Sequence, residues 1–222
     1  PTGAFYVTGG TSSLDLPTPS GSFDRQANGG FDAFVVKFTA QGALSYATYL
    51  GGAVDDWGYA IAVDQTGAAY VAGSTSQSAF PYTLGSFGVN CDANNRAAGF
   101  VTKLTPSGDA LAYSTCVPDG EPSGITVDAT GKAYVTGHTW RSSFPTTAGA
   151  FDTTYTDVYP EGEADAFVMS VSADGGTLIY STFLGGARFD YGRRIALDAA
   201  GAAYVTGTTT VSYTHLTLPT KA

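Results

Sequence analysis

Two triplets in this sequence join a carboxylate, an aromatic ring and a glycine. They are Asp56-Trp57-Gly58 and Asp190-Tyr191-Gly192, the second running on into Arg193-Arg194. An aromatic ring covers the apolar face of a sugar or a peptide side chain, while carboxylate and guanidinium groups hydrogen-bond hydroxyls and amides. Asp56, Trp57, Asp190, Tyr191, Arg193 and Arg194 are therefore the candidate ligand-binding residues. The plainer alternative is a turn-forming Asp beside an aromatic that packs a loop. Arg194 stands where corresponding segments carry Ala60 and Gly124, so it either lines a channel mouth or pairs with Asp190.

Other reactive side chains are sparse. Asp152, Asp157, Glu161, Glu163 and Asp165 form an oxygen-rich stretch of the kind calcium takes. Their spacing matches neither an EF-hand nor a repeat-in-toxin loop, and a solvated acidic loop accounts for them; no other cofactor is indicated. Paired carboxylates could serve a glycosidase, but nothing in the sequence fixes their separation. His138 has no Gly-x-Ser-x-Gly elbow to serve and reads as a structural residue. No phosphate-cradling glycine loop precedes a helical segment. No catalytic set is assigned. Cys91 and Cys116 are the only cysteines, and each departs from the corresponding copies of a repeat described below. Two coincident departures point to a compensating pair, a disulfide formed in an oxidising compartment. The alternative is two buried free thiols.

The elements that must hold these residues are strands. The 222 residues are 43% apolar and 13% charged, enough to bury a core and too apolar for a disordered chain. With 29 Gly, 14 Tyr and 13 Phe, the composition suits short strands and tight turns. A net charge of −9 repels a phosphate backbone and argues against nucleic acid as a partner. No apolar run approaches the roughly 18 residues of a membrane-spanning helix.

A repeat organises the chain. Tyr-Val-(Thr/Ala)-Gly recurs at Tyr6, Tyr70, Tyr134 and Tyr204. Asp-x-x-Gly-x-Ala precedes it at Asp64, Asp128 and Asp198. A short aromatic strand follows at Ala33–Phe38, Gly99–Leu104 and Ala166–Val171, then another at Leu44–Leu50, Leu111–Val117 and Leu178–Leu184. Gly51-Gly52 and Gly185-Gly186 close the first and third copies, while Pro118-Asp119 stands in the second. Each unit thus has four strands, A (around 59–64 in one copy), B (69–73), C (99–104) and D (110–117). Strand A carries Ile61 and Val63 on one face and Ala60 and Ala62 on the other, the pattern of a strand packed on both sides. The A–B and C–D turns are short and fall on one face. The B–C segments (roughly 10–31, 74–98 and 138–163) and the D–A loops are expected on the other, where long loops on a rigid scaffold carry function. His138 is expected just after strand B.

Ile-Ala-Val-Asp-x-x-Gly-x-Ala-Tyr-Val-x-Gly, the later Phe80-Pro81 and Phe144-Pro145 (Leu16-Pro17 in the first copy), and Tyr-Ser-Thr-Phe-Leu-Gly-Gly together resemble the bacterial SBBP-type β-propeller repeat. The resemblance covers nearly all of residues 4–210. It implies an all-β propeller of four-stranded antiparallel blades, seven in a full ring, from a secreted or cell-surface bacterial protein, and brings no established activity. On this register residues 1–52 are a partial blade (B to D), 53–117 and 118–186 are complete blades, and 187–210 are a partial blade (A and B). Residues 211–222 break the repeat in mid-unit, and Val211 to Thr220 resemble a translated sequencing adapter. The expected function is a non-enzymatic scaffold that engages protein or glycan partners, together with the remaining blades of its own propeller. The alternative is a propeller-type hydrolase or lyase acting on extracellular polysaccharide.

Overall fold

The computed structural model describes residues 3–76, 79–88, 98–156 and 162–210. Thirteen strands and no helix occur among them. β1 (Phe5–Thr11), β2 (Asp32–Phe38) and β3 (Leu44–Leu50) form a three-stranded sheet. β4 (Asp56–Val63), β5 (Ala69–Thr75), β6 (Ala98–Leu104) and β7 (Leu111–Val117) form a four-stranded one. So do β8 (Glu121–Val127), β9 (Ala133–Thr139), β10 (Asp165–Val171) and β11 (Leu178–Leu184). β12 (Asp190–Leu197) and β13 (Ala203–Thr209) form a pair. Within each sheet every strand pairs antiparallel with its neighbour in sequence, as in successive blades of a β-propeller.

The A–B turns show why hairpins form where they do. Asp64 Oδ1 accepts the amides of Thr66 (2.9 Å) and Ala68 (3.1 Å), and Gly67 takes φ +87°. Asp128 and Asp198 repeat the arrangement. The core lies between sheets. One cluster joins Val35, Tyr46 and Leu50 of the first sheet to Val71, Phe100 and Leu104 of the second. Another joins Tyr70, Val101 and Tyr113 of the second to Val135, Phe167 and Phe183 of the third. The turn face is stitched as well. Tyr6 Oη donates to the carbonyl of Gly67 (3.0 Å) and Tyr70 Oη to that of Gly131 (3.2 Å), each in the following sheet. Lys37 Nζ reaches the carbonyl of Pro106 at 3.0 Å.

Three features differ from the sequence reading. Strand A begins earlier than residue 59: β4 starts at Asp56 and β12 at Asp190. The register slips by one residue between Gly58 and Ala60, between Pro122 and Gly124, and between Gly192 and Arg194. Tyr59, Ser123 and Arg193 are thus bulged residues that let each strand run on past the expected loop. His138 likewise lies inside β9 rather than after it.

The B–C segments differ most. Their described residues divide: residues 28–31 lie at the expected face, where the Asp56 amide donates to the Phe31 carbonyl at 2.7 Å, while the stretches around Asp24, Gly88 and Asp152 run along the outer edge of strand D. The amides of Tyr49, Cys116 and Phe183 donate to the carbonyls of Asp24, Gly88 and Asp152 (3.1, 3.3 and 3.0 Å). The amides of Phe23 and Phe87 then reach the C–D turns of the next sheet, at Gly108 and Gly175. An exposed strand edge invites pairing with foreign chains, and these segments cover it.

Candidate functional site

The D–A corners hold the acids. Asp56 is fully buried, and its Oδ2 accepts the Gly52 amide at 2.7 Å. Asp32, at the start of strand C, is also buried and accepts the amides of Asn28 (3.1 Å) and Gly29 (3.2 Å). The two carboxylates converge at Gly51, where a Cβ would meet Asp32 Oδ1 at 2.4 Å and Asp56 Oδ2 at 2.7 Å. Only glycine fits between them. Burial pushes the Asp56 carboxyl up to about 6, against the hydrogen bonds from Thr75 and Gly52, and the negative charge of Asp32 and Asp55 adds to the rise. Burial also raises Asp32. Asp165 and Asp190 repeat the corner around Gly185, with Asp190 Oδ2 accepting the Gly186 amide at 2.8 Å. In the middle junction both acids are replaced together, by Ala98 and Gly120. Asp56 and Asp190 therefore shape the corners and do not face solvent.

The rings beside them do reach the surface. Trp57 stacks on Phe31 at 4.5 Å and lies against Gly10, where a Cβ would fall 2.3 Å from its indole ring. Tyr191 occupies the equivalent place in β12 and packs edge-on against His138 at 4.7 Å. Trp140 also meets His138 edge-on at 4.3 Å, Phe189 flanks Tyr191 at 6.3 Å, and the Arg193 guanidinium sits 5.0 Å above the Tyr191 ring. Trp140 and Phe189 are more than a third exposed.

His138 itself is buried. Its Nε2 is 3.7 Å from Glu121 Oε2, while its Nδ1 has no hydrogen-bond partner. Burial lowers its pKa to about 4, with the Arg193 charge adding to the effect, and burial raises that of Glu121. The ring is neutral near pH 7. Arg194 does not pair with Asp190. It lies in a concavity with Tyr59, Ile61, Gly124, Ile125 and Ile195 of the A strands, and donates to the carbonyl of Arg193 at 2.9 Å.

The structure thus brings Tyr191 and Arg193 together, sets Trp57 apart at an equivalent junction, and turns Arg194 toward the A-strand wall. Glu121, Trp140, Phe31 and Phe189 were not identified from the sequence. The available signal was positional: Trp140 follows His138 by two residues and is one of only two tryptophans.

For the acidic stretch, Asp157 and Glu161 lie outside the described residues. Asp165 and Glu163 are buried, and Asp152 caps its own turn through the Thr154 amide at 2.8 Å. Among the described residues no group of three or more His, Cys, Asp or Glu side chains is placed to hold a metal ion. Cys116 is buried at the end of β7, and Cys91 lies outside the described residues, as do residues 211–222. No described helix is long and apolar enough to cross a membrane.

Residues 45–81 match the family model of the SBBP beta-propeller repeat. The matched stretch runs from β3 through the Gly51 corner, β4 and β5 to Phe80-Pro81. No curated protein matches the chain.

Proposed function

We propose that this chain belongs to a secreted or cell-surface bacterial scaffold, a seven-bladed propeller in its complete form, that binds protein or glycan partners at the D–A corners. The observation that carries this reading is the asymmetry between the two ends of the strands. At the turn end, side chains such as Tyr6, Tyr70 and Lys37 are consumed in contacts between sheets. At the corner end, Phe31 with Trp57, and Trp140, Phe189 and Tyr191 with Arg193, stand partly exposed on strand ends or tight corners. Rings fixed in this way offer contact area at low entropic cost. Binding is favoured over hydrolysis or lysis because Asp32 and Asp56, the acids that approach each other at Gly51, are buried and engaged with backbone amides.

The test is a glycan-array and pull-down comparison of variants on the two ends. Trp57→Ala and Tyr191→Ala should weaken a recovered interaction about tenfold or more, as loss of a central aromatic anchor does. Gln65→Ala and Ser107→Ala in the short turns should leave it unchanged. The reverse pattern would reject the assignment.

A further inference from the structure

The cluster around His138 has a feature that packing alone leaves unexplained. A buried polar atom without a partner is destabilising, and such atoms are rare enough to need a reason. His138 Nδ1 is one, in a residue 9% exposed. The other ring nitrogen faces the Glu121 carboxyl across 3.7 Å. An imidazole that keeps its proton on Nε2 toward that carboxyl presents Nδ1 as an acceptor. What it lacks is a donor.

The surroundings specify the donor's chemistry. Trp140 meets the imidazole edge-on at 4.3 Å and is 38% exposed. Nδ1 is closed to solvent, so a ligand reaches it only if a neighbouring side chain turns aside, and Trp140, the first residue after β9, is the one outside the sheet. Tyr191 forms the other wall, with the Arg193 guanidinium above it and Phe189 beside it. Aromatic faces around one neutral acceptor and a few donors suit a ring that is apolar on its faces and hydroxylated at its rim. The −9 net charge of the chain disfavours a polyanion.

The geometry points to a saccharide subsite at the junction of β8, β9 and β12, in which a neutral sugar stacks on Trp140 beside Tyr191 and donates a hydroxyl to His138 Nδ1. This rests on the corner-end binding reading and narrows it to one ligand class and one recognition residue.

The full chain is tested as Trp57→Phe, so that its fluorescence reports on Trp140. Cellotetraose, mannotetraose and maltotetraose are titrated, with tetragalacturonate as the charged control. At least one neutral oligosaccharide should shift the Trp140 emission saturably. His138→Phe should abolish that shift or weaken it at least tenfold, while raising the melting temperature because the orphan acceptor is gone. His138→Gln, which restores an acceptor, should recover part of the affinity and guards against misfolding of the Phe variant. The subsite is overturned if no neutral oligosaccharide binds, if affinity survives His138→Phe unchanged, or if tetragalacturonate binds best. Should proteins still be captured through Trp57 and Tyr191 in any of those cases, the binding end stands and only the saccharide is lost.

Discussion

Asp56 is a buried acid held against a second acid, and its titration is visible in stability. Its folded pKa of about 6 lies above the ordinary 3.8, so the folded state holds the proton more tightly than the unfolded one. The stability it contributes is complete below the unfolded value and is lost as pH rises through about 6. His138 works the other way. With a folded pKa of about 4 it contributes stability above 6.5 that is lost as pH falls through 4. The two oppose each other between pH 4 and 6.5, so the whole-protein profile hides both and a difference experiment is needed. Asp56→Asn keeps an acceptor for the Gly52 amide, removes the charge, and offers a donor toward Asp32. It should stabilise the protein at pH 7.5 by on the order of 2–3 kcal/mol, from a rise of about two units, and by only about 1 kcal/mol at pH 4.5, where most of the window between 3.8 and 6 has yet to be crossed. Paired melts at the two pH values check this, and a gain that does not depend on pH would refute it. The positions of Asp56 and Asp190 were legible in the sequence, and their role was not. An Asp before an aromatic and a glycine reads the same whether it faces water or a Gly-Gly corner. Only the backbone fold brings Asp32 within reach of Asp56.

Strands and turns were the most legible part of the chain, because each depends on local chemistry repeated in every copy. Asp64, Asp128 and Asp198 make the same amide contacts and the same hairpin. The bulges at Tyr59, Ser123 and Arg193 were hidden, since the three residues share no chemistry and the slip exists only relative to the partner strand. The path of the B–C segments was hidden too. Their contacts to strand D combine backbone groups with two recurring side-chain markers: Thr83 and Thr147 each bond the amide and carbonyl of Ser114 and Ser181, and Thr48, Thr115 and Thr182 each accept an amide from the covering segment. Thr182 Oγ1 takes the Asp152 amide at 2.8 Å and is itself 2.9 Å from the Asp152 carbonyl. Thr182→Val keeps the shape and strips both contacts. It should cost about 1–3 kcal/mol, as a buried donor left unpaired does, and should raise hydrogen exchange at the Asp152 amide above that of Asp24. Equal exchange at the two amides would mean that the threonines are not what ties the cover down.

At the scale of the molecule, the sheets differ in what protects their edges. β7 and β11 are lined by the returning B–C segments, and β3 by the segment around Asp24. β1 ends its sheet on one side with no strand beyond it among the described residues, and β13 ends another. Both carry apolar side chains in the open: Phe5 is 48% exposed and Val7 42% in β1, and Tyr204 is 60% exposed in β13. Burying such surface in a neighbour gains roughly 25 cal/mol per Å², and an open strand edge supplies backbone partners besides. The chain as it stands should therefore associate with itself in a concentration-dependent way, visible by sedimentation velocity between about 5 and 200 μM. Charge at an edge should suppress this, because pairing would then bury a lysine without a partner. Val7→Lys should shift the distribution toward monomer, whereas Ile179→Lys, an exposed position on β11 whose outer edge the returning segment already lines, should not. A strictly monomeric chain over that range, or equal effects of the two substitutions, would show that these edges are not what the molecule leaves open.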